Sequence, residues 1–373
     1  MKIAIVSRGF SVYRGGAERF TNCFCNELLQ HGHEVHLFSG ETLKNIPEQI
    51  ILHEIKFTKI FSFLKLLSFH FSIRKELKKE KFDIIYGLCQ FFPLDFYYAG
   101  GGVYKHWMMI RYPLKLFRWF KYIFSPSHMI MLWLERGIYK NKNSQIITNS
   151  KLVKKHILKY YAFSENRIKV IYDGIDHNVF NTDITNSRKS LREEYGYTDK
   201  DFVILFIANN WSRKGLMTIL NALASLPKQY KLVVGGKGNS RKYIKISNLL
   251  NIASNRVKFI GVLSDIAKIY GIADVFVLPT MYDPFAQVCK EAMACGLPVI
   301  TTLSNGASEI IINGENGYIL QKWDDYKALS QLLQKIYNST SSDKFRINAL
   351  DAVKQYNWKK NVEDHLDYFE KSC

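Results

Sequence analysis

The sequence predicts an α/β protein with two parallel-sheet domains facing a central cleft, and three observations predict it. The chain has 373 residues, more than one hydrophobic core ordinarily supports, so two domains are expected. Short β-branched runs alternate with helical patterns along almost its whole length, the order of strand–crossover–strand units. Those runs are apolar at nearly every position. Strands of that kind are covered on both faces, as in parallel sheets.

In chain order, the first half offers KIAIVS (2–7), EVHLFS (34–39), IILHEI (50–55), FDIIYGL (82–88), SQIITNS (144–150) and IKVIY (168–172) as strands. The second half offers FVILFIA (202–208), YKLVVGG (230–236), RVKFIGV (256–262), DVFVLPT (274–280) and PVITT (298–302). The opening MKIAIVSRGF is too short, and too soon followed by Arg14 and Glu18, to be a secretion signal, so it reads as a buried first strand. The polar stretch NTDITNSRKS follows YDGIDHNVF (172–180), which separates a domain of residues 1–180 from one of residues 181–355. A last helix in 356–373 carries Trp358, Val362, Leu366 and Phe369 at helical spacing, an apolar face that needs a partner.

Composition is that of a globular chain, 47% apolar and 23% charged without low-complexity tracts. No stretch reaches the roughly 18 apolar residues of a membrane span. Six cysteines are scattered without a CxxC pair, which fits reduced thiols in a cytoplasm rather than a disulfide or zinc framework. The net charge of +19 is uneven: residues 1–180 hold 27 Lys and Arg against 14 Asp and Glu. An anionic partner on the first half is expected, whether nucleic acid, acidic lipid or a phosphorylated substrate.

Two loops suit a diphosphate. SRGFSVYRGGAERF places Gly15 and Gly16 at the start of a helix, where backbone amides and the dipole favour an anion; the pair equally suits a tight strand-to-helix turn. It is not the GxGxxG fingerprint, and no acid closes the second strand, which argues against a dinucleotide dehydrogenase. ANNWSRKGLM (208–217) places Arg213 and Lys214 between a buried strand and a helix. Cations there oppose the helix dipole by about 0.3–1 kcal/mol, an arrangement that an anion such as a leaving diphosphate would offset.

In YDPFAQVCKEAMACGLPVITT, Pro284 suits a first helical position and Asp283 an N-cap, so Asp283 has a structural reading of its own. Glu291, nearly two turns further, has none. Eight residues of helix rise about 12 Å, comparable with a nucleotide sugar from hexose to ribose. One acid would hold the sugar and the other the ribose, with the diphosphate near the amides of Phe285, Ala286 and Gln287.

The stretch LPTMYDPFAQVCKEAMACGLPVITTLSNGASE (278–309) resembles the donor-site signature of family-4 retaining glycosyltransferases: an acid, seven residues, a glutamate, then Gly-x-Pro-Val. GGAERF, HGHEV (31–35), VIYDGID (170–176), the RKG at 213–215 and ADVFVLPT agree in order. The resemblance covers nearly the whole chain. It implies two Rossmann-like parallel-sheet domains facing a central cleft, the B-type glycosyltransferase fold, with the acceptor on the first domain, the nucleotide sugar on the second and the last helix crossing back. It also implies that Gly16, Arg213 and Lys214 contact diphosphate, Glu291 the ribose, and Asp283 with the following amides the transferred sugar. Neither a metal nor a cofactor beyond the nucleotide sugar is implied, and no protein base, since the departing phosphate takes the acceptor's proton. DKD (199–201) reads as a turn before a strand rather than a metal site. Two departures stand out: the first acid is Asp283 where glutamate is usual, and Asp173-Gly174 replaces Asn-Gly. His106, in the loop of AGGGVYKHW, lies where relatives place acceptor-side residues.

Much of the surplus charge sits in 56–81, with eight Lys and Arg against two acids, and in YKHWMMIRYPLKLFRWFKYIF (104–124), where cations alternate with rings. Such segments fit an anionic membrane surface; single strands of nucleic acid would use the same composition. Membrane is the better fit, since the similar lipopolysaccharide core glycosyltransferases act on lipid-borne glycans at the cytoplasmic leaflet. The expected function is therefore transfer of a hexose from a nucleotide-diphosphate sugar, UDP-glucose foremost, to a lipid-linked or phosphorylated glycan. The enzyme would sit peripherally on the inner face of the cytoplasmic membrane and bind no nucleic acid. A nucleotide-sugar isomerase would differ in turning over without acceptor. A nucleic-acid-binding protein would bind oligonucleotides with steep salt dependence and leaves Glu291 unexplained.

Overall fold

The computed structural model describes residues 1–8, 16–40, 46–58, 60–262, 266–339 and 342–372. The chain forms two compact units, Met1–Gly174 with Trp358–Cys373, and Ile175–Asn357. In the first, β1 (Lys2–Ser7), α1 (Gly16–Gln30), β2 (Glu34–Ser39), β3 (Ile51–Glu54), α2 (Ser62–Leu77), β4 (Ile84–Gly87) and β5 (Phe96–Tyr98) follow one another. Then come α3 (Tyr104–Arg111), α4 (Lys115–Phe124), α5 (Pro126–Lys140), β6 (Gln145–Thr148), α6 (Lys151–Tyr160) and β7 (Ile168–Val170). Seven strands pair in the order β3-β2-β1-β4-β5-β6-β7.

The second unit contains α7 (Arg188–Glu194), β8 (Phe202–Ile207), α8 (Leu216–Ser225), β9 (Tyr230–Gly235), α9 (Ser240–Leu249), β10 (Val257–Gly261) and α10 (Ile266–Ile272). It continues with β11 (Val275–Leu278), α11 (Gln287–Ala294), β12 (Val299–Thr302), β13 (Gly317–Leu320), α12 (Tyr326–Tyr337) and α13 (Ser342–Val353). Six strands pair in the order β10-β9-β8-β11-β12-β13. Every strand pairing in both sheets is parallel, as the two-sided burial of the runs requires.

The last helix, α14 (Trp358–Ser372), belongs to the first unit. Phe369 packs on Phe96 at 4.4 Å and on Tyr86 at 5.3 Å between ring centroids. Trp358 meets Phe20 edge-on at 5.6 Å. Val362 and Phe369 are fully buried, each contributing roughly 1.5–3 kcal/mol. His365, which the apolar spacing does not mark, is buried beside them with Nε2 3.0 Å from the Tyr86 hydroxyl. Burial holds its imidazole down at about 4.

The break between units falls after Gly174 rather than at residue 180, because Ile175 and Phe180 are buried in the second unit, Phe180 against Tyr270. Two strands escape the sequence patterns. β5 is only three residues long and follows the aromatic and proline stretch FFPLD. β13 opens on Gly317, where a Cβ would lie 2.0 Å from the Val299 carbonyl oxygen; the residue that weakens the strand signal is the one that lets the backbones approach. The five described cysteines are free thiols, all but Cys23 buried.

Candidate active site

In the second sheet the strand order reverses between β8 and β11, the switch point at whose carboxyl edge ligands collect in open parallel sheets. The loops leaving β8 and β11 carry Arg213, Lys214 and Asp283. Gly215 lets them touch: its φ is +86°, and a Cβ there would lie 2.0 Å from the Pro279 carbonyl oxygen. The Arg213 carbonyl accepts from the Met281 amide at 2.9 Å, and Arg213 Nη1 donates to the Tyr282 carbonyl at 2.9 Å. The Lys214 ammonium pairs directly with the Asp283 carboxylate, and both side chains are nearly buried.

Burial, reinforced by the neighbouring Arg213 charge, pulls the Lys214 ammonium down towards about 7. Contact with the Asp283 carboxylate opposes that shift. The contact prevails, because a deprotonated lysine would leave the nearly buried Asp283 carboxylate without a compensating charge. Burial likewise lowers the Arg213 guanidinium from its ordinary range. Two cations are thus held at one strand edge beside the Asp283 carboxylate.

Asp283 does not cap α11. That helix begins at Gln287, with Ala286 in the capping position and no side-chain cap. Residue 283 instead forms an isolated parallel bridge with Asn305: its amide donates to the Ser304 carbonyl, and its carbonyl accepts from the Gly306 amide, each at 3.0 Å. The expected 12 Å helical rise between the two acids is corrected accordingly, since only Glu291 lies on the helix. Nothing in the local sequence marks Asn305 as a partner of this segment. Its Oδ1 accepts from the amides of Ala286 and Ala307 at 3.1 Å, and its Nδ2 donates to Thr301 Oγ1 at 2.8 Å. The Ala286 amide is therefore already engaged, which corrects its place among the donor-binding amides. Phe285 is buried, and Gln287 is half-buried in the first turn of α11.

Glu291 is buried, and its Oε2 accepts from the Tyr270 hydroxyl at 2.8 Å. Tyr270 comes from α10, far off in sequence, and nothing local announces it. Beside Glu291, the fully buried Lys290 lies over the rings of Phe285 at 4.9 Å and Tyr356 at 5.4 Å. In the DKD stretch, Asp201 Oδ2 accepts from the Thr198 amide at 2.8 Å and its hydroxyl at 2.9 Å, the geometry of a turn.

The remaining expected site residues belong to the first unit. Gly16 is exposed at the start of α1, and Gly15 lies outside the described residues. His106 sits inside α3 rather than in a loop. Its ring stacks on His156 at 3.5 Å between centroids, and Nδ1 lies 3.1 Å from the Tyr160 hydroxyl. Burial, then the Lys159 charge, holds it at about 4. Both contacts join His106 to α6. The amino end of α3 is fastened by the buried Glu135 of α5, which accepts from the amides of Tyr104 and Lys105. Near the end of the first unit's main segment, the Tyr98 hydroxyl donates to the buried Asp173 carboxylate.

α4 has no buried residue. Leu116, Phe117, Phe120, Ile123 and Phe124 share one side at helical spacing, and all are exposed. Lys115, Arg118 and Lys121 occupy the other. Phe61, Phe71, Met129 and Trp133, from α2, α5 and the approach to α2, are exposed as well. Among the described residues no helix is long and apolar enough to cross a membrane.

Two doubly wound parallel sheets, with basic and acidic side chains gathered at the second sheet's switch point, make up the frame of a B-type glycosyltransferase. The chain belongs to that family: its residues 187–371 match the family described as Glycosyl transferases group 1, and residues 14–179 match Glycosyltransferase Family 4. It is similar to the lipopolysaccharide glucosyltransferase WaaG of Escherichia coli, 22% identical over 329 residues, 86% of either chain. An uncharacterized glycosyltransferase of Methanocaldococcus jannaschii is 27% identical over 237 residues, 61% of this chain and 60% of the relative's length. The crystal structure of WaaG superposes with a TM-score of 0.86 at 20% identity over 98% of this chain and 99% of that one. Anabaena HepE in complex with UDP-glucose gives 0.74 at 18% identity, covering both chains fully.

Proposed function

We propose that the protein is a retaining glycosyltransferase that moves a hexose from a nucleotide-diphosphate sugar, foremost UDP-glucose, to a lipid-linked anionic glycan of the lipopolysaccharide-core kind. The observation that carries this reading is the Arg213–Lys214 pair, fastened at the switch point against Asp283. Fixed cations at that place suit the charge that develops on a departing diphosphate. Glu291 would accept from ribose hydroxyls, and Asp283 from the hexose. The bond from the anomeric carbon to the phosphate oxygen breaks with its electron pair leaving on the diphosphate. The acceptor hydroxyl bonds to the same face of that carbon and gives its proton to the leaving oxygen, without a metal or a protein base.

Incubation with UDP-, GDP- and ADP-glucose tests the reading. Slow hydrolysis of one donor is expected, with the first-formed sugar keeping its anomeric configuration by NMR, and calorimetry should register the matching nucleoside diphosphate alone. No binding of any of the three diphosphates would remove the proposal.

For the acceptor side, the amphipathic α4 supports an interfacial membrane surface, where each cation near anionic lipid contributes about 1 kcal/mol in addition to ring burial. Flotation with vesicles containing anionic lipid is expected to carry the protein upward, neutral vesicles less so. The Trp119→Ser/Phe120→Ser variant should stay in the soluble fraction. Equal recovery from both vesicle types would end this part of the reading while leaving the donor site intact.

A further inference from the structure

On one face of the first sheet, a histidine pair and two carboxylates converge outside everything described so far. The β2–β3 register pairs His36 with Ile51 and Phe38 with His53, so the two imidazoles are diagonal neighbours on one face. His36 Nε2 lies 2.7 Å from Glu34 Oε1, and His36 Nδ1 lies 2.8 Å from His53 Nε2. Glu80, in the turn after α2, brings Oε2 to 4.0 Å from His36 Nδ1. One ligand atom each from His36, His53 and Glu80 lies within 4.8 Å of the others, and no other such triad occurs among the described residues.

We infer that His36 Nδ1, His53 Nε2 and the Glu80 carboxylate form a binding site for a divalent ion of the zinc class, tying edge strand β3 to β2 and to the end of α2. Glu34 can only accept, so it fixes the His36 proton on Nε2 and turns the Nδ1 lone pair towards His53 and Glu80. A carboxylate behind an imidazole is the arrangement that orients ligating histidines. Both rings are braced: His36 is nearly buried and meets Phe82 edge-on at 5.1 Å, and His53 stacks on Phe38 at 4.2 Å.

Two nitrogens and one carboxylate, with a fourth position for water, suit zinc. Nitrogens bound to tetrahedral zinc stand about 3.3 Å apart, so the pair has to open by roughly 0.5 Å, replacing its shared proton with the ion. Lys2 is the competing cation, with Nζ 2.8 Å from Glu80 and 3.4 Å from Glu34. When Glu80 turns to the ion, the ammonium keeps Glu34. The donor chemistry proposed above does not depend on this site, and either can fail alone.

The full chain, stripped with a chelator, is titrated with Zn²⁺ by calorimetry and with Co²⁺ in visible absorption. One equivalent of Zn²⁺ per chain is expected, with the intense bands of four-coordinate Co²⁺ and a higher melting temperature. His53→Ala and Glu80→Ala, at positions the fold leaves accessible, should each weaken binding at least about 10-fold; Glu34→Gln, acting through His36, about 10- to 100-fold. No stoichiometric binding by the wild type, or binding unchanged in both His53→Ala and Glu80→Ala, overturns the site.

Discussion

Glu291→Gln lowers kcat/KM for the nucleotide-sugar donor by about 10- to 100-fold and leaves the fold intact. The exchange is nearly isosteric, and the Tyr270 hydroxyl, 2.8 Å from Oε2, still has a carbonyl oxygen to which it can donate. What disappears is the second charged acceptor. A carboxylate takes two hydroxyl protons side by side, whereas an amide takes one and offers a donor in place of the other. Hydrogen bonds to charged groups contribute about 1.5–3 kcal/mol each, which converts to the stated range. Steady-state kinetics with the donor varied, alongside a thermal melt, checks it. Wild-type turnover in a well-folded Glu291→Gln protein would strip the residue of its donor role.

Lys214→Met acts on stability and activity together, and a second substitution separates the two. Removing the ammonium strands the Asp283 carboxylate, which is nearly buried; breaking a buried pair from one side destabilises by about 3–5 kcal/mol. Removing a cation aimed at developing negative charge costs about 2.7–4 kcal/mol of transition-state stabilisation, roughly 10²- to 10³-fold in kcat. In Lys214→Met/Asp283→Asn no buried charge is left unpaired, so the melting temperature recovers most of its loss. Turnover does not recover. A double variant that regained both would reduce Lys214 to a structural partner of Asp283.

Strand after strand was legible because apolar side chains buried on both faces leave continuous runs that need no knowledge of neighbours. FVILFI and KIAIVS are cases in point, each buried almost throughout. The signal failed where geometry replaced side-chain chemistry, at Gly317 and in the three residues of β5. The acid pair and the Arg-Lys loop were legible as motifs because their spacing lies within one stretch of chain. Their partners were not. Tyr270 reaches Glu291 from 21 positions away, and Asn305 reaches Ala286 from 19. A local rule misled at Asp283, where acid followed by proline reads as a helix start. A bridge to residue 305 holds the segment extended there, so α11 waits until Gln287.

By itself, then, the amino-acid order determined the two-sheet architecture, the surplus of positive charge on the first half, and the residue types of the acid pair and the Arg-Lys loop. Burial preference and backbone propensity act through near neighbours and are written in the chain. The tertiary structure alone decided the reversal of strand order that brings β8 beside β11, the pairing of Lys214 with Asp283, and the meeting of His36, His53 and Glu80. Each of these depends on which remote segments the sheets place side by side, and a hydrogen bond or an ion pair exists only over a few ångströms.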